Sequence, residues 1–114
     1  MKIIVSYLSI FIIIVVFSGC TQSELYYYGS TEKELYQLKK EPNEYRLKNY
    51  KEALEEVIEY ADYEGQLIPP GTYANLGYLY LQEGKKEEAI KMFETEKKLF
   101  PESTKFIDFV LKKM

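Results

Sequence analysis

In the segment FSGCTQSELYYYGS, residues 17–30, the chain's only cysteine, Cys20, directly follows an apolar run and precedes Tyr26-Tyr27-Tyr28. A lone thiol can be acylated, ligate a metal or act as a nucleophile, and the last two normally need an imidazole or further thiols beside it. Among the 114 residues there is no histidine, which removes nucleophile–base constellations and imidazole metal sites. The remaining groups of chemical interest are carboxylates. Glu52, Glu55, Glu56 and Glu59 carry the oxygen ligands that a hard cation takes, yet their spacing puts them on the polar side of a helix, as a solvated face. Lys85-Lys86-Glu87-Glu88 is likewise a surface charge run at a helix start. Carboxylate pairs that cleave glycans need a cleft, and so small a chain offers little of one. Catalysis, a metal and a cofactor are therefore not expected.

What precedes Cys20 decides its chemistry. Lys2 gives a short positive start, residues 3–17 are almost wholly apolar, and Ser18 and Gly19 are small, which is the layout of a secretory signal peptide. A membrane-spanning helix needs about 20 apolar residues; this run is shorter, so an uncleaved anchor is the lesser alternative. Phe17-Ser18-Gly19-Cys20 resembles a bacterial lipobox, with Phe17 where the pattern usually has Leu. That resemblance implies cleavage before Cys20 and acylation of its thiol and amine. Each buried CH₂ is worth about 0.8 kcal/mol, so two or three chains make the attachment effectively permanent. No thiol is then left for a disulfide. Loss of Lys2 with the leader takes the formal charge from −3 to −4, too modest a field to indicate nucleic acid. Thr21 is not the aspartate that retains enteric lipoproteins at the inner membrane, which by the same resemblance implies the outer membrane, facing the periplasm.

The expected organisation is a signal peptide at 1–19, a lipidated tether at 20–30 and a helical domain at 31–114. Thr31-Glu32-Lys33-Glu34 fits a capping box opening a helix over 32–40. Glu41-Pro42-Asn43 ends that helix and supplies a cap for the next. Leu47, Tyr50, Leu54, Val57, Ile58 and Ala61 recur at three- and four-residue steps over 44–63, the clearest amphipathic helix in the chain, and Gly65 stops it. Further helices are expected over 72–83, 86–100 and 103–113, punctuated by Pro69-Pro70-Gly71, Gly84 and Pro101. The third is apolar nearly all round, so it must lie between neighbours. The fold class is all-α, a stack of about five antiparallel helices.

Tyr73, Leu76-Gly77, Tyr80, Gly84, Ala89, Phe93 and Pro101 resemble the tetratricopeptide pattern. Gly77 and Ala89 are small where two helices approach closely, and Leu76, Tyr80 and Phe93 fill the space between them. Asn49-Tyr50-Lys51-Glu52-Ala53 looks like the turn into a second, decayed copy, interrupted at Pro42. Glu96 stands where the pattern expects a small residue, and is either displaced to the rim or held by a polar partner such as a tyrosine hydroxyl. The mature chain also resembles a family of small, uncharacterised bacterial lipoproteins with tetratricopeptide-like helices. Leu25-Tyr26-Tyr27-Tyr28-Gly29-Ser30, Pro69-Pro70-Gly71 with Ala74 and Gly77, and the segment from Phe93-Glu94 to Phe100-Pro101-Glu102-Ser103 carry that resemblance. Such proteins are often encoded beside a lipoprotein similar to the curli secretion channel, which implies a protein partner in an envelope complex.

The expected function is therefore that of a lipid-anchored scaffold or accessory subunit working through protein–protein contact, with a peptidoglycan-associated binding lipoprotein as the alternative and no small-molecule substrate. The tetratricopeptide resemblance implies a concave binding face at Ala74, Asn75, Tyr78 and Gln82, with Tyr78 as anchor. The blander alternative packs Tyr78 against the decayed copy's helix. That face has no basic residue to clamp a peptide's terminal carboxylate. In the last helix Phe106, Val110 and Phe109 are expected inward, leaving Ile107 and Leu111 as a second candidate contact. The tyrosine triplet either meets lipid headgroups, folds down on the first two helices, which the Gly29-Ser30 turn favours, or adds an edge to a partner.

Overall fold

A computed structural model describes residues 1–3 and 25–114; the apolar run and Cys20 lie outside the described residues. Within them the chain forms α1 (Thr31–Lys40), α2 (Glu44–Glu64), α3 (Thr72–Gln82), α4 (Lys86–Leu99), a 3-10 turn (Pro101–Ser103) and α5 (Thr104–Lys113). This is the all-α fold that the periodicity predicts, with helix ends within two residues of the expected ones.

Local chemistry accounts for most of these boundaries. Asn43, in extended backbone, caps α2 by accepting from the Arg46 N–H at 2.9 Å. Gly65 closes α2 in the left-handed conformation. The capping box at α1 does not form. The helix begins one residue earlier than that frame requires, with Ser30 as N-cap, so the Thr31 hydroxyl donates back to the Tyr28 carbonyl at 2.6 Å. Glu34 does not reach back either, and its Oε2 is buried without a hydrogen-bond partner. Asn49 to Ala53 is also no turn. It lies inside the uninterrupted α2, where Tyr50 and Ala53 are buried, and the break at Pro42 falls in the loop between α1 and α2.

Two apolar clusters hold the stack, and α3 contributes to both. Tyr50 and Leu54 of α2 meet Leu76 and Leu79 of α3, with Leu35 and Leu38 of α1 packed against them. On the other side Ala89 and Phe93 of α4 meet Ile107 of α5, with Ala74, Leu81, Val110 and Leu111 around them. The largely apolar α3 is thus sandwiched, as its composition demands. A Cβ on Gly77 would come within 3.0 Å of Phe93 Cε1 and 3.2 Å of the Ala89 carbonyl oxygen, so glycine is what allows α3 and α4 to approach. Successive helices run antiparallel, α2 to α3 through Lys51–Glu83 and Glu55–Tyr80, and α4 to α5 through Lys97–Asp108 and Lys86–Met114.

The tether is strapped down. The Tyr27 ring stacks on Tyr60 of α2 with centroids 4.0 Å apart, and its hydroxyl donates to Glu56 at 3.3 Å. Tyr26 forms an isolated bridge with Leu67 in the α2–α3 loop, and Tyr28, exposed, meets Tyr26 edge-on. One ring of the three, that of Tyr27, therefore folds onto the second helix, and the three tyrosines border a depression with Glu32 of the first.

Helix α5 is rotated relative to expectation. Ile107 is 0% exposed, whereas Phe106 and Phe109 are 62% and 56% exposed, and Leu111 is half-buried. The inward set is Ile107, Val110, Leu111 and Met114, at i, i+3, i+4 and i+7. A continuous apolar stripe of that spacing buries more along the helix than two large rings on another face. Ile107→Ala is accordingly expected to cost about 2–5 kcal/mol by urea denaturation, and Phe109→Ser to stay within about 0.5 kcal/mol. The opposite order would reverse the assignment of the faces.

Candidate functional site

The α2–α3 loop and the start of α3 are set by a carboxylate from α4. Glu96 is 2% exposed. Its Oε1 accepts from the Gly71 N–H at 2.6 Å and its Oε2 from the Ala74 N–H at 3.2 Å. Gly71 is the N-cap of α3 at φ 90°, a left-handed geometry that glycine adopts without strain. With no side-chain cap on Gly71, the Thr72 N–H turns back to the Pro69 carbonyl, the Gly71 and Ala74 amides have no acceptor within the helix, and the positive end of the helix dipole favours an anion there. Glu96 satisfies both requirements from a neighbouring helix. Its partner is thus backbone, and it is neither displaced to the rim nor bound to a tyrosine hydroxyl. Thr72 completes the corner, its hydroxyl donating to the Pro69 carbonyl at 2.8 Å.

With α3 seated in this way, a groove opens between α2, α3 and α4. Its floor is apolar, made by Ile58, Ile68, Leu76 and Met92. One rim is Glu55, Glu59 and Asp62 of α2, and the other carries Tyr73 and Tyr80 of α3. The Tyr80 hydroxyl donates to Glu55 at 3.2 Å, and the Lys51 ammonium sits 4.4 Å from the Tyr80 ring centroid. Burial, followed by the bond to Glu55 and that residue's charge, raises the Tyr80 pKa above its ordinary value. Burial, then the charges of Asp62 and Glu96, does the same for Tyr73. Both shifts favour the neutral phenol, and Tyr80 donates from it.

The electrostatics of α2 run against its own dipole. Arg46, Lys48 and Lys51 stand in its first half, while Glu52, Glu55, Glu56, Glu59, Asp62 and Glu64 follow, with no basic residue in the last turn. Acidic groups at a helix C-terminus are unfavourable by roughly 0.3–1 kcal/mol each. Among the described residues Glu55, Glu59 and Asp62 make no ion pair, and the basic residues beside the first half of α2 are engaged there. Lys51 and Lys85 both bind Glu83, at 2.8 and 2.7 Å, and their hydrogen bonds lower its pKa. A local rule broken without internal compensation is what a binding surface looks like.

Of the residues weighed in sequence as site candidates, only the acidic positions Glu55 and Glu59 line this groove; Tyr73, Leu76 and Tyr80 entered there only as positions of the repeat pattern. Asn75, Tyr78 and Gln82 share an exposed face of α3, and Tyr78, 56% exposed, is outside the buried core. Ile107 is core and Leu111 half-buried, so the contact proposed for them passes to Phe106 and Phe109. Cys20 lies outside the described residues. The acidic cluster is indeed exposed, but two of its members accept tyrosine hydroxyls, Glu55 from Tyr80 and Glu56 from Tyr27. Asp62 was missed, and Tyr73 was read as a packing position and not as part of a site. The available signal was the spacing of Glu55, Glu59 and Asp62 at i, i+4 and i+7, which places three carboxylates along one edge of α2.

A family model described as Domain of unknown function (DUF4810) matches residues 25–110, nearly the whole described helical stack and the strapped tether. No curated protein and no solved structure matches the chain.

Removing the Glu96 carboxylate leaves two amides without their acceptor, so Glu96→Ala is expected to lower stability by about 2–4 kcal/mol in urea denaturation, as loss of a charge-assisted acceptor costs more than a neutral one. A loss under 1 kcal/mol would show that water replaces it. Glu55→Gln should bring the Tyr80 pKa part of the way back towards about 10, leaving the portion due to burial. Because the folded value is raised, the stability it contributes is present below the unfolded pKa and is lost as pH rises through the folded one. Tyrosine ring carbon shifts followed through an alkaline titration read both effects.

Proposed function

This chain belongs to the DUF4810 family, and we propose that it is a lipid-anchored adaptor of the bacterial cell envelope, acting by protein–protein contact and not by catalysis. The observation that carries the proposal is the strap. Tyr27 on Tyr60 and Glu56, with Tyr26 bridged to Leu67, ties the tether to the helical stack immediately after the segment that leads from Cys20. Residues 21–24 alone separate Cys20 from Leu25, a reach of roughly 17 Å at full extension. An acylated Cys20 would therefore hold the stack within one short span of the bilayer.

The surface at that point has matching chemistry. Tyr26, Leu67, Ile68, Leu99 and Phe100 line a depression beside the strap, and Leu25, Leu67 and Leu99 are exposed. Such a surface is suited to the interfacial region that tyrosine favours. Confinement then does the functional work, because a domain restricted to a plane meets membrane-bound partners at a high effective concentration. The close packing of Leu76, Gly77, Ala89 and Phe93 supports reading α3 and α4 as a tetratricopeptide-like pair, the kind of scaffold that presents helix faces to other proteins. Thr21 after the cysteine supports the outer membrane, periplasmic side, as its place.

A palmitate analogue fed to cells is expected to label the wild-type chain and not the Cys20→Ala variant. Chemical crosslinking in the same cells should join the wild type to an envelope protein and lose that product in the variant, which keeps the whole helical stack. Absence of label from the wild type would sink the anchor, and an unchanged crosslink in the variant would sink the positional mechanism.

A further inference from the structure

The outer face of α5 has been left without a role. Phe106 and Phe109 are among the more exposed large apolar residues of the stack, and Lys105, Lys112 and Lys113 stand beside them on the same short helix. The Lys113 ammonium lies 4.2 Å from the Phe109 ring centroid, so the face presents aromatic surface already paired with positive charge. None of these three lysines makes an ion pair among the described residues, since Asp108, the acidic residue of α5, is taken by Lys97 at 2.8 Å.

The α2–α3–α4 groove is the complement of this face. It offers an apolar floor, the Tyr73 ring, which suits aromatic and cationic neighbours, and an edge of carboxylates, Glu55, Glu59 and Asp62, that make no ion pair among the described residues, Glu55 accepting only the Tyr80 hydroxyl. That edge spans roughly 10 Å of helix, about two turns, the length over which α5 displays its lysines. Within one chain the two surfaces cannot meet. The inner face of α5 is committed to Ala89 and Phe93 of α4, and no α5 residue lines the groove.

We infer that the groove of one copy receives the outer face of α5 from a second copy, so that the chain associates head to tail. The contact is heterologous, joining two different surfaces, and it leaves one groove and one α5 unused at the ends of any dimer, so it can propagate into a ring or a row. A ten-residue helix buries less than the 1,200 Å² or so of a stable standard interface. The association is accordingly weak in free solution and depends on confinement to a common surface. A divalent cation is a poorer occupant, because carboxylates strung along one helix do not converge on a point. The inference needs no lipid at Cys20, which only adds to local concentration.

The test is a charge exchange on the full-length mature chain, attached to neutral phosphatidylcholine vesicles and followed by energy transfer between labelled copies. Glu59→Lys with Asp62→Lys makes the groove edge basic, and Lys112→Glu with Lys113→Glu makes α5 acidic; all four positions are exposed, and an unchanged urea midpoint verifies folding. Each double variant alone is expected to associate about tenfold more weakly than the wild type, and the two mixed together to recover association. Phe109→Ser should weaken it without altering charge. Raising salt to about 0.5 M, where screening acts within a few ångströms, should weaken the wild type as well. Four results would overturn the inference: a wild type that stays monomeric on vesicles, an association that neither variant alters, a mixture that fails to recover, or a loss confined to the α5 variant, which would mean α5 pairs with α5. An adaptor contact made through Asn75, Tyr78 and Gln82 survives all four, since those residues lie on neither surface.

Discussion

One carboxylate inside the stack sets the position of everything around it. Glu96 of α4 receives the Gly71 and Ala74 amides of α3, and α3 is the element on which both apolar clusters depend. The narrow exposed face of α3 constrains its rotation only loosely and its height not at all, because apolar burial is non-directional. Hydrogen bonds are directional. Two of them to one carboxylate therefore index α3 along α4, after which Gly77 against Phe93 sets how closely the pair can approach. Burying a charge without a partner is costly; here the partial positive charge and unpaired amides of the helix start supply the partner.

The same indexing exposes what is left over. Because α3 is seated against α4, its tyrosines 73 and 80 face the acidic half of α2 across an apolar floor. The basic half of α2 is drawn inward through Lys51 to Glu83, so the acidic half is left uncompensated. At the far end of the stack α5 spends its aliphatic stripe on the core and turns its phenylalanines and lysines outward. A mildly acidic chain thus separates into an acidic groove and a basic aromatic helix, while Tyr26 and Tyr27 lie strapped against the stack.

The helices themselves were readable because helix formation is mostly local. Periodicity located α2, Asn43 and Gly65 its ends, and the glycine and proline punctuation the rest. The start of α1 was misjudged because Ser30 and Thr31 can each begin a helix, and only the neighbouring Tyr28 carbonyl selects between them. In α5 the size of two aromatic rings obscured an i, i+3, i+4, i+7 stripe present in the sequence all along. Asn49 to Ala53 misled in another way, since family resemblance placed a turn where the residues' own periodicity runs unbroken.

The sequence by itself determined the class of the fold, the number of helices, their lengths and the small residues at the closest helix contact, because these follow from interactions spanning a few residues. Tertiary structure decided which face of α5 is buried, where the Glu96 carboxylate goes, and that Glu55, Glu59 and Asp62 border a groove in place of open water. Each of those outcomes depends on residues far apart in the chain, Gly71 with Glu96 and Lys51 with Glu83 among them. A local pattern gives a helix its stripe, but only the surfaces packed against it settle its rotation and its offset along the axis.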